Sequence, residues 1–151
     1  MKRIILLLII SFTFVFLSGC KNNNTNIDTP EKAVNEIISC YNNGDFNCMW
    51  QRVLPKDKYA VSQNIINNIN NNDLFILMGY ALNKDNITSD NITSEEYLYG
   101  AFKVVLGDKD MKLENIEQID NTTYSASIKL GEKTAVMPFK LFNNKWYMQL
   151  R

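Results

Sequence analysis

The chain has 151 residues, and its 16 Lys or Arg residues balance its 16 Asp or Glu residues, so the formal net charge is zero. Histidine does not occur, which removes the commonest general base and the commonest metal ligand from the available chemistry. Nucleic-acid binding is not expected, because it requires a clustered basic surface.

The first segment of the chain has the pattern of a secretory signal. Lys2 and Arg3 precede an apolar run over residues 4–17, and small residues follow. A basic start, a short apolar run and small residues are typical of a signal peptide. The run is too short for a membrane span, which needs about 20 apolar residues.

The end of this segment is Leu17-Ser18-Gly19-Cys20. It resembles the lipobox of bacterial lipoproteins, in which Leu, two small residues and Cys mark the cleavage site. The resemblance implies that residues 1–19 are removed and that the sulfur of Cys20 carries a diacylglycerol. Two or three acyl chains on one residue make a stable anchor, whereas one chain binds only marginally. We therefore expect a protein anchored by lipid in the cell membrane or outer membrane, facing outside the cytoplasm; an ordinary cleaved signal and an uncleaved anchor are the alternatives.

Removal of residues 1–19 from the 151 leaves 132, enough for one domain with a hydrophobic core. This mature part has 14 basic and 16 acidic residues, since Lys2 and Arg3 are lost with the signal. Residues 20–28 are polar and rich in Asn, which predicts a flexible tether. Residues 29–151 are expected to form a single domain.

The domain begins with helical patterns. Thr29-Pro30 is a helix-start signal, and Gly44 followed by Asp45 ends the first helix and begins the second. Residues 57–72 are ambiguous because their many Asn residues have low helix propensity. The apolar run over residues 73–82 fits either a helix or a buried strand, and we favour the helix.

A further helix is predicted between Thr93 and Gly107. Thr93 and Glu96 have the spacing of a capping box, and apolar residues such as Leu98, Phe102 and Val105 recur on one side. The loop before it, residues 84–93, is polar.

The remaining sequence changes to strand patterns. A strand is expected near residues 113–119, and strict alternation over residues 123–130 and 135–141 predicts two half-buried strands. Gly131-Glu132 and Asn143-Asn144 predict tight turns, and a last strand follows over residues 146–150. Pro138 cannot donate a ladder hydrogen bond, so it predicts an edge strand or a bulge. Helices followed by an antiparallel meander indicate an α+β fold.

Cys40 and Cys48 remain as an even pair once Cys20 is lipidated, and the predicted compartment is oxidising. They flank the turn residues 42–45, so a disulfide could join the first two helices. The alternative is two small buried apolar residues beside a turn.

Several short motifs together resemble small bacterial lipoproteins with a nuclear transport factor 2-like, cystatin-like domain. These are Thr29-Pro30-Glu31-Lys32-Ala33-Val34, Asn43-Gly44-Asp45-Phe46, Leu54-Pro55-Lys56-Asp57, and the closing Phe139-Lys140-Leu141-Phe142 with Lys145-Trp146-Tyr147. Asn144 stands where the family usually has Gly. The resemblance implies a cone in which helices pack into the hollow of a strongly curved antiparallel sheet. Such hollows host enzymes, ligand sites or plain packing, so the fold alone does not choose a function.

We expect a non-catalytic binding or interaction module at the cell envelope, whose partner is an envelope protein or a small apolar ligand. The candidate cavity-lining residues are aromatic: Trp50, Tyr59, Tyr80, Tyr97 and Tyr99. Core packing is the alternative role for each of them. Two other functions remain open, a small isomerase or dehydratase that uses the cone cavity, and a purely structural envelope component. No metal, cofactor or catalytic residue is predicted.

Overall fold

The computed structural model of the protein describes residues 27–68 and 71–150. The predicted signal peptide, residues 1–19, and the predicted lipidation site, Cys20, lie outside the described residues, as does most of the predicted tether. Among the helices that are described, none combines the length and the apolar character that a membrane crossing requires.

Among the described residues, five helices precede the sheet. They are α1 (Pro30–Asn42), α2 (Phe46–Gln51), α3 (Pro55–Asn67), α4 (Asn72–Leu82) and α5 (Ser94–Leu106). Residues 57–67 of the ambiguous segment are therefore helical, and the apolar run over residues 73–82 is a helix as expected.

The helix starts follow from capping side chains. Thr29 Oγ1 accepts from the backbone N–H of Lys32 at 3.1 Å, and Asp45 Oδ1 accepts from that of Cys48 at 2.9 Å. At the start of α5, Thr93 and Glu96 form the predicted capping box. Each cap satisfies an N–H that has no partner inside its helix.

Four strands form one antiparallel sheet in the order β1-β2-β3-β4. They are β1 (Met111–Asp120), β2 (Thr123–Leu130), β3 (Lys133–Phe142) and β4 (Lys145–Met148). Both predicted turns are present. Gly131 has φ of 61°, while Asn143 and Asn144 have φ of 49° and 59°, left-handed values that Gly and Asn accommodate with least cost. The α+β prediction is confirmed at this level.

The structure has no bulge at Pro138, because the register of β3 with β2 is unbroken at Ser125 and Pro138. β3 lies between β2 and β4, but its pairing with β4 begins only at Phe139, so Pro138 lies where the β4 side of the strand becomes an edge. The register shifts lie in β1 instead. The backbone nitrogen of Pro138 faces the β4 side, just beyond the last β3–β4 pair, Phe139 and Met148, so no ladder hydrogen bond is lost there. The carbonyl of Pro138 accepts from the N–H of Gln149 at 2.8 Å.

The core lies between the helices and one face of the sheet. Ala33, Val34 and Ile37 of α1 are buried, as are Ala126 and Ile128 of β2. Two side chains hold the ends of these layers together: Tyr41 donates from its hydroxyl to the carbonyl of Gly107 at 2.7 Å, and Asn42 bonds both the N–H and the C=O of Met111.

The domain begins before its first helix. Asp28, which the sequence assigned to the tether, accepts through Oδ2 from Arg52 at 2.9 Å and from the backbone N–H of Trp146 at 2.6 Å. Its carboxylate thus joins the region after α2 to β4, so Asp28 belongs to the domain. Leu54 and Met148 are also joined there, because the N–H of Leu54 donates to the carbonyl of Met148 at 2.9 Å.

Candidate functional site

The first part of strand β3 has no neighbouring strand on its β4 side within the described chain. β4 pairs with β3 only from Phe139 to Phe142, so the first part of β3 has β2 on one side and no strand on the other within the described chain. The carbonyl of Pro138 faces the β4 side, and in an antiparallel strand every second residue has its N–H and C=O on the same side. The main-chain groups of Thr134 and Val136 therefore point to the open edge, and no backbone partner for them occurs among the described residues.

Helix α5 runs beside this open edge, and an apolar groove of about 300 Å³ separates the two. We call it the edge groove. It is lined by Leu98, Ala101, Phe102, Val105 and Leu106 of α5 and by Ala135, Val136 and Met137 of β3.

The edge groove has a buried floor and an exposed rim. Leu98 and Met137 are both 6% exposed, whereas Val105 on the α5 rim is 70% exposed. Val136 is 67% exposed, but its side chain lies on the opposite face of β3 from Ala135 and Met137. The α5 residues recur at a spacing of three and four, so they form one stripe of the helix. Burial of apolar surface contributes about 25 cal/mol of favourable free energy per Å². A ligand that covers the exposed rim would therefore form a more stable complex.

The position of α5 is fixed on the side away from the groove. At Gly100 a Cβ would lie 3.4 Å from Met78 Cγ and 3.4 Å from Leu82 Cδ1, both on α4. The close approach of α4 at Gly100 therefore fixes the position of α5. The apolar stripe of α5, which includes Val105, then faces the open edge.

A lysine without an ion-pair partner in the described chain precedes the part of β3 that lines the edge groove. Lys133 is the first residue of β3, is exposed, and has no ion-pair partner among the described residues. Its register partner is Leu130, and like Ala135 and Met137 it lies on the helix side of the strand. Its ammonium is available to a negative group at this end.

The five aromatic residues predicted to line a cavity are not gathered around one hollow. Tyr97 and Tyr99 are buried in the core, where the hydroxyl of Tyr99 donates to the carbonyl of Tyr41 at 3.1 Å. Trp50 packs beneath the ammonium of Lys58, with Nζ 5.1 Å from the ring centroid.

The other two aromatic residues face solvent. Tyr59 is 70% exposed. Tyr80 is 82% exposed and borders a separate cavity of about 410 Å³ between the end of α4 and the loop from Asn83 to Ile87. Neither reaches the edge groove.

Cys40 and Cys48 are joined by a disulfide, with their Cα atoms 5.6 Å apart. The bond links α1 to α2 across the turn at Gly44, whose φ of 69° is left-handed. It lies in the helical layer and borders none of the cavities described above.

The most deeply buried charge, Arg52, is the centre of a structural cluster. Arg52 is 3% exposed and pairs with Asp28 and Glu36, and its Nη1 also donates to the carbonyl of Trp146 at 3.1 Å. Burial disfavours the charged form of Asp28, but the hydrogen bonds from Arg52 and from the Trp146 amide outweigh it, so the pKa of Asp28 is lowered. The carboxylate of Glu36 also binds Arg52, and its side chain is partly exposed.

The buried carboxylates Glu96 and Asp57 also have structural partners. Glu96 pairs with Lys84, and this bond, together with the Thr93 N–H, lowers the pKa of Glu96 against the effect of burial. Asp57 accepts from the backbone N–H of Leu150 at 2.8 Å. A general acid needs a raised pKa, and neither Asp28 nor Glu96 is shifted in that direction.

The part of the chain that the structure describes contains no group of three Cys, Asp or Glu residues placed to hold a metal ion. The edge groove is therefore described by its apolar lining, its unpaired main chain and Lys133. The α5 stripe was predicted from the sequence, but the groove was not. Its position follows from the lengths of the last two strands in the structure, because a ten-residue β3 cannot be covered by a four-residue β4.

Comparisons of this chain with protein families, with curated proteins and with solved structures find no match.

Proposed function

We propose that this protein is a bacterial lipoprotein, anchored through acylated Cys20, whose domain acts as a non-catalytic interaction module at the cell envelope. The anchor rests on the lipobox at Leu17-Ser18-Gly19-Cys20. Acyl chains would hold the domain beside the membrane, and the short segment before Asp28 would separate the two.

The proposal includes a cone-shaped, nuclear transport factor 2-like or cystatin-like domain. The order of helices followed by an antiparallel meander is compatible with that assignment. So are the helix start at Thr29-Pro30 and the closing strand with Trp146. The family and the curvature of the sheet remain part of the proposal.

The observation that carries the interaction role is the edge groove. It combines the exposed apolar side chain of Val105 with main-chain groups of Thr134 and Val136 that have no partner within the described chain. Open strand edges are usually protected in soluble proteins, since they pair with other chains. An edge that is left open beside an apolar groove favours a binding surface over a purely structural role.

The non-catalytic part of the proposal is supported by the carboxylates. Asp28, Glu36, Glu96 and Asp57 are each engaged with a partner of the fold, and none of them borders the edge groove. The groove itself is lined by aliphatic and aromatic carbon, which can bind but cannot transfer protons.

Site-specific photo-crosslinking in intact cells tests the proposed surface. A photoreactive amino acid is placed at Val105 or at Val136, and at Ile119 as the control, because Ile119 is similarly exposed at 59% but lies outside the groove. We expect crosslinked products from the two groove positions and not from the control. Equal crosslinking from all three positions, or none from the groove, contradicts the proposal.

A further inference from the structure

We propose that the edge groove binds an extended polypeptide segment of a partner protein, which adds to β3 as a new antiparallel strand. The inference rests on the proposed interaction role and names the chemistry of the partner. The edge offers one N–H and one C=O each from Thr134 and Val136, a pattern that only another extended main chain matches in full.

The fold already uses this edge in the same way. Beyond Pro138 the same side of β3 is occupied by β4, and the N–H of Gln149 donates to the carbonyl of Pro138 where that ladder ends. An added strand would lie in line with β4 and continue its ladder toward the hairpin turn at Gly131-Glu132. It would run in the direction of β4, because every named strand pair in this sheet is antiparallel.

The register decides which side chains of the added strand enter the groove. Residues that lie opposite each other on neighbouring strands point to the same face. Those opposite Met137 and Ala135 would face α5 and the apolar lining, and should be apolar. Those opposite Val136 and Thr134 would face the other side of the sheet, where polar side chains are suitable.

The charge at the end of the groove adds a third requirement. Lys133 lies on the same face, two residues before Ala135, and has no ion-pair partner in the described chain. The residue opposite Lys133 would come two positions after the second apolar residue. A carboxylate there, from Asp, Glu or a chain terminus, would complement the ammonium. The preferred segment therefore has five positions, in the order apolar, any residue, apolar, any residue and acidic.

Selection from a phage-displayed library of random seven-residue peptides tests this pattern. The full-length chain, purified as it is recovered from cells, is the bait, and selected sequences are synthesised for affinity measurements. We expect selected peptides to show the two alternating apolar positions followed by the carboxylate. We also expect Lys133→Glu to weaken their binding, and added salt to reduce the difference.

Two variants separate strand addition from other kinds of binding. Val136→Pro removes an N–H that points to the open edge and should weaken binding about tenfold, the value of one net hydrogen bond. Val105→Glu places a charge on the α5 rim and should weaken binding without touching β3. Ile119→Glu is the matched control, an exposed apolar residue replaced outside the groove. Far-UV circular dichroism and thermal unfolding check that each variant is folded.

The outcomes are distinct. An empty selection, peptides without the alternating pattern, or equal binding to wild type and to Val105→Glu overturns the inference. So does a full-length chain that forms dimers which Val136→Pro dissociates, because the edge would then be occupied by a second copy. Each of these leaves the interaction role in place if crosslinking in cells still maps to Val105 and Val136. Loss of those crosslinks defeats the proposed function itself.

Discussion

Nη1 of Arg52 donates to Oδ2 of Asp28 at 2.9 Å, and this bond closes the start of the domain onto its last strand. The same carboxylate oxygen accepts from the backbone N–H of Trp146, while the guanidinium reaches Glu36 on α1. Three distant parts of the chain thus meet at one arginine that is 3% exposed.

Replacement of Arg52 should be strongly destabilising. Arg52→Met removes the cation and leaves Asp28 and Glu36 without their partner, and breaking a buried ion pair in this way costs about 3–5 kcal/mol. Asp28→Asn should cost less, because the guanidinium keeps Glu36 and the carbonyl of Trp146. Chemical denaturation of both variants gives the free energies of unfolding. An Arg52→Met variant within 1 kcal/mol of wild type (roughly the value of an exposed pair) would show that the cluster contributes little.

Acid should weaken the domain through Asp28. Burial opposes the ionised form, but Arg52 and the Trp146 amide lower the pKa of Asp28 in the folded state, so the unfolded state binds the proton more readily. This contribution is fully present above about pH 5 and is lost as the pH falls through the lowered folded pKa. Denaturation between about pH 5 and pH 2.5 should show a fall in stability that is shallower in Asp28→Asn. Identical slopes would mean that Asp28 does not contribute.

The bond between Cys40 and Cys48 should be present in the mature protein. Titration of thiols in the denatured mature chain should find no free thiol from this pair before reduction and two after it. A double Cys40→Ala, Cys48→Ala variant should lose about 2–3 kcal/mol, because the closed loop is short. Two free thiols without reductant would contradict the bond.

Local patterns predicted the helices and strands well. The capping box at Thr93 and Glu96, the alternation along β2 and the turn at Asn143-Asn144 depend only on residues close in sequence, and all three are found in the structure. Long-range pairs were not accessible to that reasoning. Asp28 looked like part of a tether because its partners, Arg52 and Trp146, lie far along the chain.

In the candidate site, too, local patterns were predictable from the sequence and long-range contacts were not. The stripe of α5 could be found from its helical spacing, but its neighbour across the groove could not, because strand order and the early end of β4 set which edge is open. The burial of the aromatic residues also depends on tertiary structure. Tyr99 and Tyr80 have similar surroundings in sequence, yet one is 6% and the other 82% exposed, a difference that tertiary packing alone decides.

The central claim is that lipid on Cys20 holds this domain at the membrane, and the mass of the mature protein tests it most directly. The chain is extracted from the membrane fraction of cells, and its intact mass and amino-terminal peptide are measured. The account predicts a chain that begins at Cys20 and carries the mass of a diacylglycerol, with or without a further acyl group. A mature chain without acyl groups, recovered in the soluble fraction, would contradict it.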